Sequence, residues 1–444
     1  MKTKYWFLTL ALSIFLSCGM AFAQGAVAID TSSAMDSINI EMSELQTADG
    51  TKTKKAKRSF FQRFFEVGVD IDAGVSNNYF GLGDLLQETI VLDFTEMSDN
   101  ISYRGLALNG NLDFTVFSNI YAKNSAVGFD VDVNTLVNFL INKDVIRLIA
   151  SGNTIDGDML VGAGFGASSF AAFDVPVTFK PFKKLTLQVT GSYFLPVLYI
   201  PYVDATVTTR INSDGTVALN GSATANAYSA LPITDFSSIN VYDVLSQGGV
   251  DISVAGEFAF LSFLDLGASV VNLPLIPSKL NCQYSYLASV SYSMDDSVLN
   301  QYYTNGAVDT SGFTYSLEQQ DVSTVEKVKV FRPMKFGFWA NWRPLNNKLL
   351  TLTPFVQVRF LDATLANAAG CGFDYALKAA TNLGMFEAAF VSSYIDMTFR
   401  QELDLKFNVR FFELDLSVAS QSANFAKSLC GSGLGLGLSV IFGF

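Results

Sequence analysis

From Phe65 to Ser76 the chain alternates without a slip. Phe65, Val67, Val69, Ile71, Ala73 and Val75 fall on one side of an extended strand, and Glu66, Gly68, Asp70, Asp72, Gly74 and Ser76 on the other. Successive side chains of a strand point to opposite faces, so the pattern predicts one apolar face and one that carries carboxylates. The end of the chain repeats it in purer form. Leu434, Leu436, Leu438, Val440, Phe442 and Phe444 share one side, and Gly435, Gly437, Ser439, Ile441 and Gly443 the other. An apolar face backed by a nearly side-chain-free one suits a curved sheet with lipid outside and a crowded or watery interior. The competing reading is a strand of a soluble sandwich, whose polar face would simply meet solvent.

Repeated short turns argue for closure into a barrel. Phe179 to Leu187, Phe258 to Leu266, Trp342 to Leu352 and Asn408 to Leu416 are each a tight, aromatic-flanked connection followed by an alternating strand, and Phe114 to Tyr121 is a weaker fifth copy. Between them lie long connections, and short turns on one side with long loops on the other is the layout of outer-membrane barrels. Gly81 to Asn100 predicts a short capped helix after Asp84. Thr135 to Ser151 spaces Leu136, Phe139, Leu140, Val145, Leu148 and Ile149 roughly as a helix does. Both are too apolar for free loops and are expected to fold into the barrel mouth or lumen. Ala205 to Tyr228 reads as a hairpin turning at Ser213-Asp214-Gly215, and Asp295 to Val325 as a polar, Tyr-rich segment facing outside. Five turns give ten strands, and the first and last make twelve. The remaining hairpins raise the expected count to about 14, within 12–16, since single-chain bacterial barrels use even numbers. The fold class is thus all-β: a transmembrane antiparallel β-barrel over residues 65–444, with short helical segments in the loops or lumen.

Composition agrees. The 444 residues are 50% hydrophobic and 16% charged, with 39 Phe, 17 Tyr and 33 Gly. Yet beyond the N-terminus no convincing run reaches the roughly 18 apolar residues of a membrane helix; Val254 to Ile276 is interrupted by Glu257 and Asp265. There is no histidine, which removes His-dependent triads and most zinc sites, and a net charge of −12 argues against a nucleic-acid partner. Cys282, Cys371 and Cys430 lack metal-ligand spacing and read as small apolar or loop residues.

The N-terminal stretch differs from the rest. Lys2 and Lys4, the apolar run Tyr5 to Leu16 and Ala21-Phe22-Ala23 predict a signal peptide over residues 1–23, cut after Ala23. Lipoprotein processing at Cys18 competes, through the loose lipobox Phe15-Leu16-Ser17; either way the protein is exported. Residues 24–64 hold no aromatic before Phe60 and cannot bury enough surface to fold alone. They are expected to form a disordered periplasmic linker or plug. Its basic run Lys52 to Arg58 is read as a solvated linker or as an arm toward lipid headgroups.

Candidate chemistry is sparse. Asp70/Asp72 and Asp130/Asp132 are carboxylate pairs on one strand face. Such pairs serve calcium or acid–base work, but here they more simply solvate a polar lumen. With Glu66, Arg359, Asp404 and Lys406 they make a mixed-charge lumen of little ion selectivity. Gly164-Phe165-Gly166 lacks the rest of a nucleotide fingerprint and marks a kink or close backbone approach. No catalytic, metal or cofactor site is expected, and no enzyme.

Two resemblances sharpen the picture. The aromatic end, Phe442 and Phe444, resembles the C-terminal assembly signal of bacterial outer-membrane barrels, which implies the barrel assembly machinery and outer-membrane lipid as partners. Ser76-Asn-Asn-Tyr-Phe-Gly-Leu-Gly-Asp84 and Tyr193-Phe-Leu-Pro-Val-Leu-Tyr-Ile-Pro201 resemble the long-chain fatty-acid transporters. That family implies a 14-stranded barrel with an N-terminal hatch, passing hydrophobic molecules through an apolar groove and a lateral opening. No Asn-Pro-Ala hatch motif occurs near the start of the mature chain, so no hatch residue is carried over. Pro196 and Pro201 cannot donate to a sheet ladder, so pairing is expected to break there. Phe194, Leu195, Pro196, Leu198, Tyr199, Pro201 and Tyr202 are therefore the candidate ligand contacts. An ordinary strand-to-loop transition at the rim is the plainer reading. The expected function is uptake of small hydrophobic, fatty-acid-like molecules across the outer membrane. The alternatives are a general diffusion porin or structural barrel, and an exported soluble or lipidated binding protein.

Overall fold

In the computed structural model residues 64–443 are described, apart from 82–92, 102, 104, 123, 154–156, 214–216, 232–239, 281, 295–312, 321–326, 348, 361–370, 396–397, 410, 423–424 and 430–432. The alternating segments form antiparallel strands. β1 (Phe65–Asn77), β2 (Leu106–Tyr121), β3 (Ser125–Ile141), β4 (Asp158–Phe182) and β5 (Leu185–Ile211) pair in sequence order. β7 (Gly249–Leu261) then joins β5, and β8 (Leu264–Ile276) joins β7. Six further hairpin-ordered strands carry the wall round: β13 (Met334–Trp342), β14 (Thr351–Phe360), β15 (Cys371–Asn382), β16 (Phe386–Ile395), β17 (Thr398–Val409) and β18 (Phe412–Ser422). β19 (Gly433–Gly443) pairs with β18 on one side and with β1 on the other, Val67 opposite Phe442. The ladder is therefore a closed barrel of fourteen strands.

Closure leaves no edge strand in the wall, which is what an all-β surface needs to avoid further pairing. The outer face is apolar. Val69, Val116, Val131, Phe173, Leu266, Phe338, Phe390, Leu405 and Leu436 are all exposed. The inner partners of these positions are polar and buried, among them Glu66, Asp113, Asp265, Asp374, Glu402 and Glu413. Six short turns, together with the ends of β1 and β19, lie at one end, where Phe182, Phe260, Trp342, Phe386 and Phe411 are exposed around the rim.

The strand count matches the expectation, but the tally behind it needed correction. Phe114 to Tyr121 is the end of β2, and that turn begins at Ala122. The sixth turn, Leu383–Met385, was missed; its signal is Asn382, whose side chain accepts from the Gly384 N–H at 2.9 Å. The Ala205 hairpin does form, from β5 to β6 (Val217–Ser229), but adds nothing to the barrel wall. β6 pairs with β10 (Cys282–Met294) and β10 with β11 (Phe313–Gln320), a sheet that leaves the wall along the far half of β5.

Thr135 to Ser151 is also different from the helix expected of it. Thr135 to Ile141 continues β3, and only Lys143–Ser151 is helical. In the first long connection the helix expected after Asp84 lies outside the described residues; among the described ones Phe94–Asn100 is helical, capped by Asp93, whose side chain accepts from the Thr95 and Glu96 N–H groups. These two helices, α1 and α2, bury Met97, Ile101 and Ile146 against Leu106 at the loop end. Two shorter helices follow, α3 (Val241–Leu245) and α4 (Phe425–Ser428). The signal peptide, linker residues 24–63, Cys430 and Phe444 lie outside the described residues, as do the side chains of Cys282 and Cys371.

Candidate functional site

The wall changes partner once, at β5. Its edge pairs with β7 from Leu185 to Phe194, then with β6 at Tyr199 and again from Thr206 onward. Pro196 and Pro201 occupy the changeover, where a residue with an N–H would face no strand acceptor. The carbonyls there find other donors: Pro196 O accepts from the Ala230 N–H at 3.0 Å, and Val197 O from the Ser229 hydroxyl at 2.6 Å. On its other edge β5 stays paired to β4, with register shifts between Phe165 and Ala167 and between Ser169 and Phe170. The expected break is thus present on one edge of the strand, and the other edge holds the wall together.

Inside the seam sits a small plug. β9 (Ser278–Leu280) and β12 (Val328–Val330) pair only with each other, away from the wall. Leu280 and Val330 are 0% and 1% exposed and pack with Phe170, Ala172, Phe194 and Ala230. Phe170 and Phe194 meet edge to face, with centroids 6.1 Å apart. The plug is tied to the wall through Gln247, whose carbonyl accepts from the Lys279 N–H at 3.0 Å and the Ser278 hydroxyl at 2.7 Å. Gly249, at the start of β7, permits the approach. A Cβ there would stand 2.4 Å from the Phe194 ring and 2.7 Å from the Ser278 nitrogen.

Below the plug the lumen turns polar at once. Arg332 follows β12 and holds Asp251 by two bonds, 2.8 and 2.7 Å, with Asp174 at 3.7 Å. Its guanidinium also lies 5.3 Å over the Phe194 ring. One residue therefore closes the apolar cluster on one side and balances buried carboxylates on the other. Sequence reasoning missed Arg332, Asp251, Asp174 and the whole plug, because these segments are brought together across the barrel and no local pattern marks them.

The candidate ligand residues divide. Phe194 and Pro196 are fully buried, Phe194 in the cluster of Leu280 and Val330, with Leu195 and Tyr199 packed against it. Leu198 packs instead on Ala167, Ile200 and Ala227. Tyr202 lies over Gly164, where a Cβ would stand 2.2 Å from the ring carbon that bears the hydroxyl. Pro201 falls in the bulge opposite Gly166, the close approach expected of that glycine pair.

Of the residues expected in the lumen, Glu66, Asp72, Arg359 and Asp404 are buried, each on the strand face opposite exposed Val, Leu or Phe side chains. Glu66 accepts from Asn119 at 3.0 Å and from the Tyr121 hydroxyl. Asp72 pairs with Arg400 at 3.3 Å, and Arg400 with Glu402 at 2.5 Å. Arg359 grips Asp374 at 2.6 and 3.1 Å, Lys406 pairs with Glu413, and Asp404 with Lys378 at 3.7 Å. Asp70 and Asp130 are half-buried, and Asp132 stands beside Thr115 and Asp174. These groups are tied to one another within a strand (Arg400–Glu402), to the next strand (Arg359–Asp374, Lys406–Glu413) and over intervening strands (Asp404–Lys378, Arg400–Asp72). Among the described residues no cluster of three or more carboxylate or thiol ligands is arranged to hold a metal ion.

No protein-family model matches the chain, and neither does any curated protein. Solved structures similar to it include the toluene transporter TodX of P. putida, with a TM-score of 0.43 and 8% identity over 86% of this chain and 90% of that one. The Ralstonia pickettii toluene transporter TbuX gives 0.42 and 8%, with the same coverage. A FadL homologue of Pseudomonas aeruginosa gives 0.40 and 9%, also over 86% and 90%.

Proposed function

We propose that the protein is a bacterial outer-membrane barrel that takes up small hydrophobic molecules, fatty-acid-like in size, by a gated route past the β9–β12 plug. The observation that carries this is the buried apolar cluster of Phe170, Phe194, Leu280 and Val330, set where β5 gives up its neighbour. A purely aqueous pore has no use for a dry apolar patch in its lumen, whereas a hydrophobic solute needs one to leave water. The seam supplies the adjoining weakness in the wall, with Leu195 to Tyr202 as its lining. Membrane residence rests on the outward Leu, Val and Phe belt, too extensive to leave in water.

A general diffusion porin is the second reading. The packing of the lumen speaks against it: Glu413, Asp374 and Arg400 are 1%, 2% and 4% exposed, so these charges are bound to partners rather than open to a water-filled channel.

The test is binding of a radiolabelled long-chain fatty acid to the refolded barrel, beside a variant with Phe194→Asp and Leu280→Asp. Saturable binding lost in the variant is the expected result. Absence of binding, with large steady conductance in planar bilayers, would leave the porin.

A further inference from the structure

The connection that leads into β7 crosses from the outside of the wall to the inside. Tyr193 points outward, opposite Phe173, which is 46% exposed, and its neighbours Ser192 and Phe194 point inward and are buried. The Tyr193 hydroxyl donates to the carbonyl of Leu245, the last residue of α3, so α3 rests on the outer surface. Only Val244 of this helix is buried. Val241, Tyr242 and Leu245 are 65%, 79% and 51% exposed, and β8 ends in exposed Leu275 and Ile276, the latter opposite Val250 at the start of β7. Two residues beyond Leu245, Gln247 is buried, and its carbonyl holds the plug strand β9.

We propose that α3 is a lipid contact: its Val241, Tyr242 and Leu245 lie among the acyl chains and headgroups at the membrane border, and it holds the plug through Gln247. The occupant follows from continuity with the outward belt, because α3 is bonded to Tyr193, which stands on the outer face beside exposed Phe173. Height agrees as well. Tyr193 is well along β5 from Leu185. At about 3.3 Å per residue and a tilt near 40°, it stands roughly 20 Å from the turn end, near the border of an apolar band about 25 Å tall. A tyrosine with an apolar body and a polar tip suits such a border. The chain from α3 to Gln247 then links the lipid phase to the element that closes the lumen. This rests on the membrane reading above.

The experiment places a nitroxide on Tyr242→Cys, with the other cysteines replaced by serine, in the full barrel refolded into phosphatidylcholine vesicles. Collision with oxygen, which partitions into lipid, is compared with collision with a water-soluble nickel chelate. Leu436→Cys on the outer face of β19 and Lys183→Cys in a turn are the lipid and water references. The expected result is a ratio at Tyr242 several-fold above that at Lys183 and approaching that at Leu436. A water-type ratio at Tyr242 with a lipid-type ratio at Leu436 overturns the proposal and leaves the membrane reading standing. Water-type ratios at both overturn the membrane reading itself. For the link to the plug, a nitroxide on Lys279→Cys is expected to move several-fold faster when Ser278→Ala removes the hydroxyl that donates to the Gln247 carbonyl. An unchanged spectrum, in protein that keeps heat-modifiable gel migration, refutes that link.

Discussion

Two parts of the inner wall solve the same burial problem in opposite ways. From β13 round to β1 the lumen is filled by paired charges: Arg359 with Asp374 on the next strand, and Arg400 with Glu402 on its own strand and with Asp72 on β1. At the β5 seam it is filled by Phe170 and Phe194 and closed by two short strands that belong to no wall. The charged part is continuous with the ladder that supports it. Arg400 reaches Asp72 across β18 and β19, and the glycines at 435 and 437 make the room. The apolar part is held by a few non-local contacts. The contrast predicts a half whose loss unfolds the barrel and a half that can be perturbed by itself.

The strongest test of this division is Arg400→Met. It removes the partner of two buried carboxylates, and an uncompensated buried charge costs about 3–5 kcal/mol. The expected outcome is a large drop in the urea midpoint of the refolded barrel, with the plug and the wall lost together. A small drop would mean that water reaches this network, and that the two halves are not so different.

Leu280→Ala should act on the other half alone. Truncating a fully buried leucine costs about 2–5 kcal/mol, and here the cost should fall on the plug. Amide exchange at Ser278 to Leu280 is expected to accelerate, and the global urea midpoint to stay where it was. A shift of the global midpoint of the same size would show that the plug is part of the cooperative wall.

The same division explains what could be read from the sequence. The charged half is written in period-two patterns, since neighbouring strands pair through short turns and alternation puts their charges on one face. Phe65 to Ser76 and Leu434 to Gly443 gave the first and last strands and their faces directly. Glu66, Asp72, Arg359, Asp404 and Lys406 could be placed in the lumen, although only contacts across strands reveal their partners. The seam was legible solely as two prolines in an apolar run. Its other components, Gln247, Leu280 and Arg332, arrive from separate connections, and alternation says nothing of where such segments dock. Thr135 to Ile141 failed for another reason: a strand with apolar residues on both faces mimics helical spacing over a short window.

Gly249→Ala asks whether the seam is closed by packing. The added Cβ would enter the Phe194 ring on one side and the Ser278 backbone on the other, and overpacking of this kind costs about 1–3 kcal/mol. Faster exchange at Ser278 to Leu280, with unchanged global unfolding, is expected. Full tolerance would mean that Phe194 can already swing away from the plug.

Gly435→Ala supplies the matching measurement in the charged half, where the smallest effect is expected. A Cβ at 435 would meet the Ala419 Cβ at 3.1 Å, the Gln421 side-chain nitrogen at 3.3 Å and the Arg400 guanidinium carbon at 3.4 Å. Two of these three neighbours are the ends of long side chains, which can give by a few tenths of an ångström. Alanine also suits a strand slightly better than glycine, which gives up more backbone freedom on folding. The two terms oppose, and a net change within about 1 kcal/mol in the urea midpoint follows. A loss as large as that of Arg400→Met would show that the Arg400–Asp72 pair has no slack, so that the glycine-faced end of the chain is fitted to that ion pair alone.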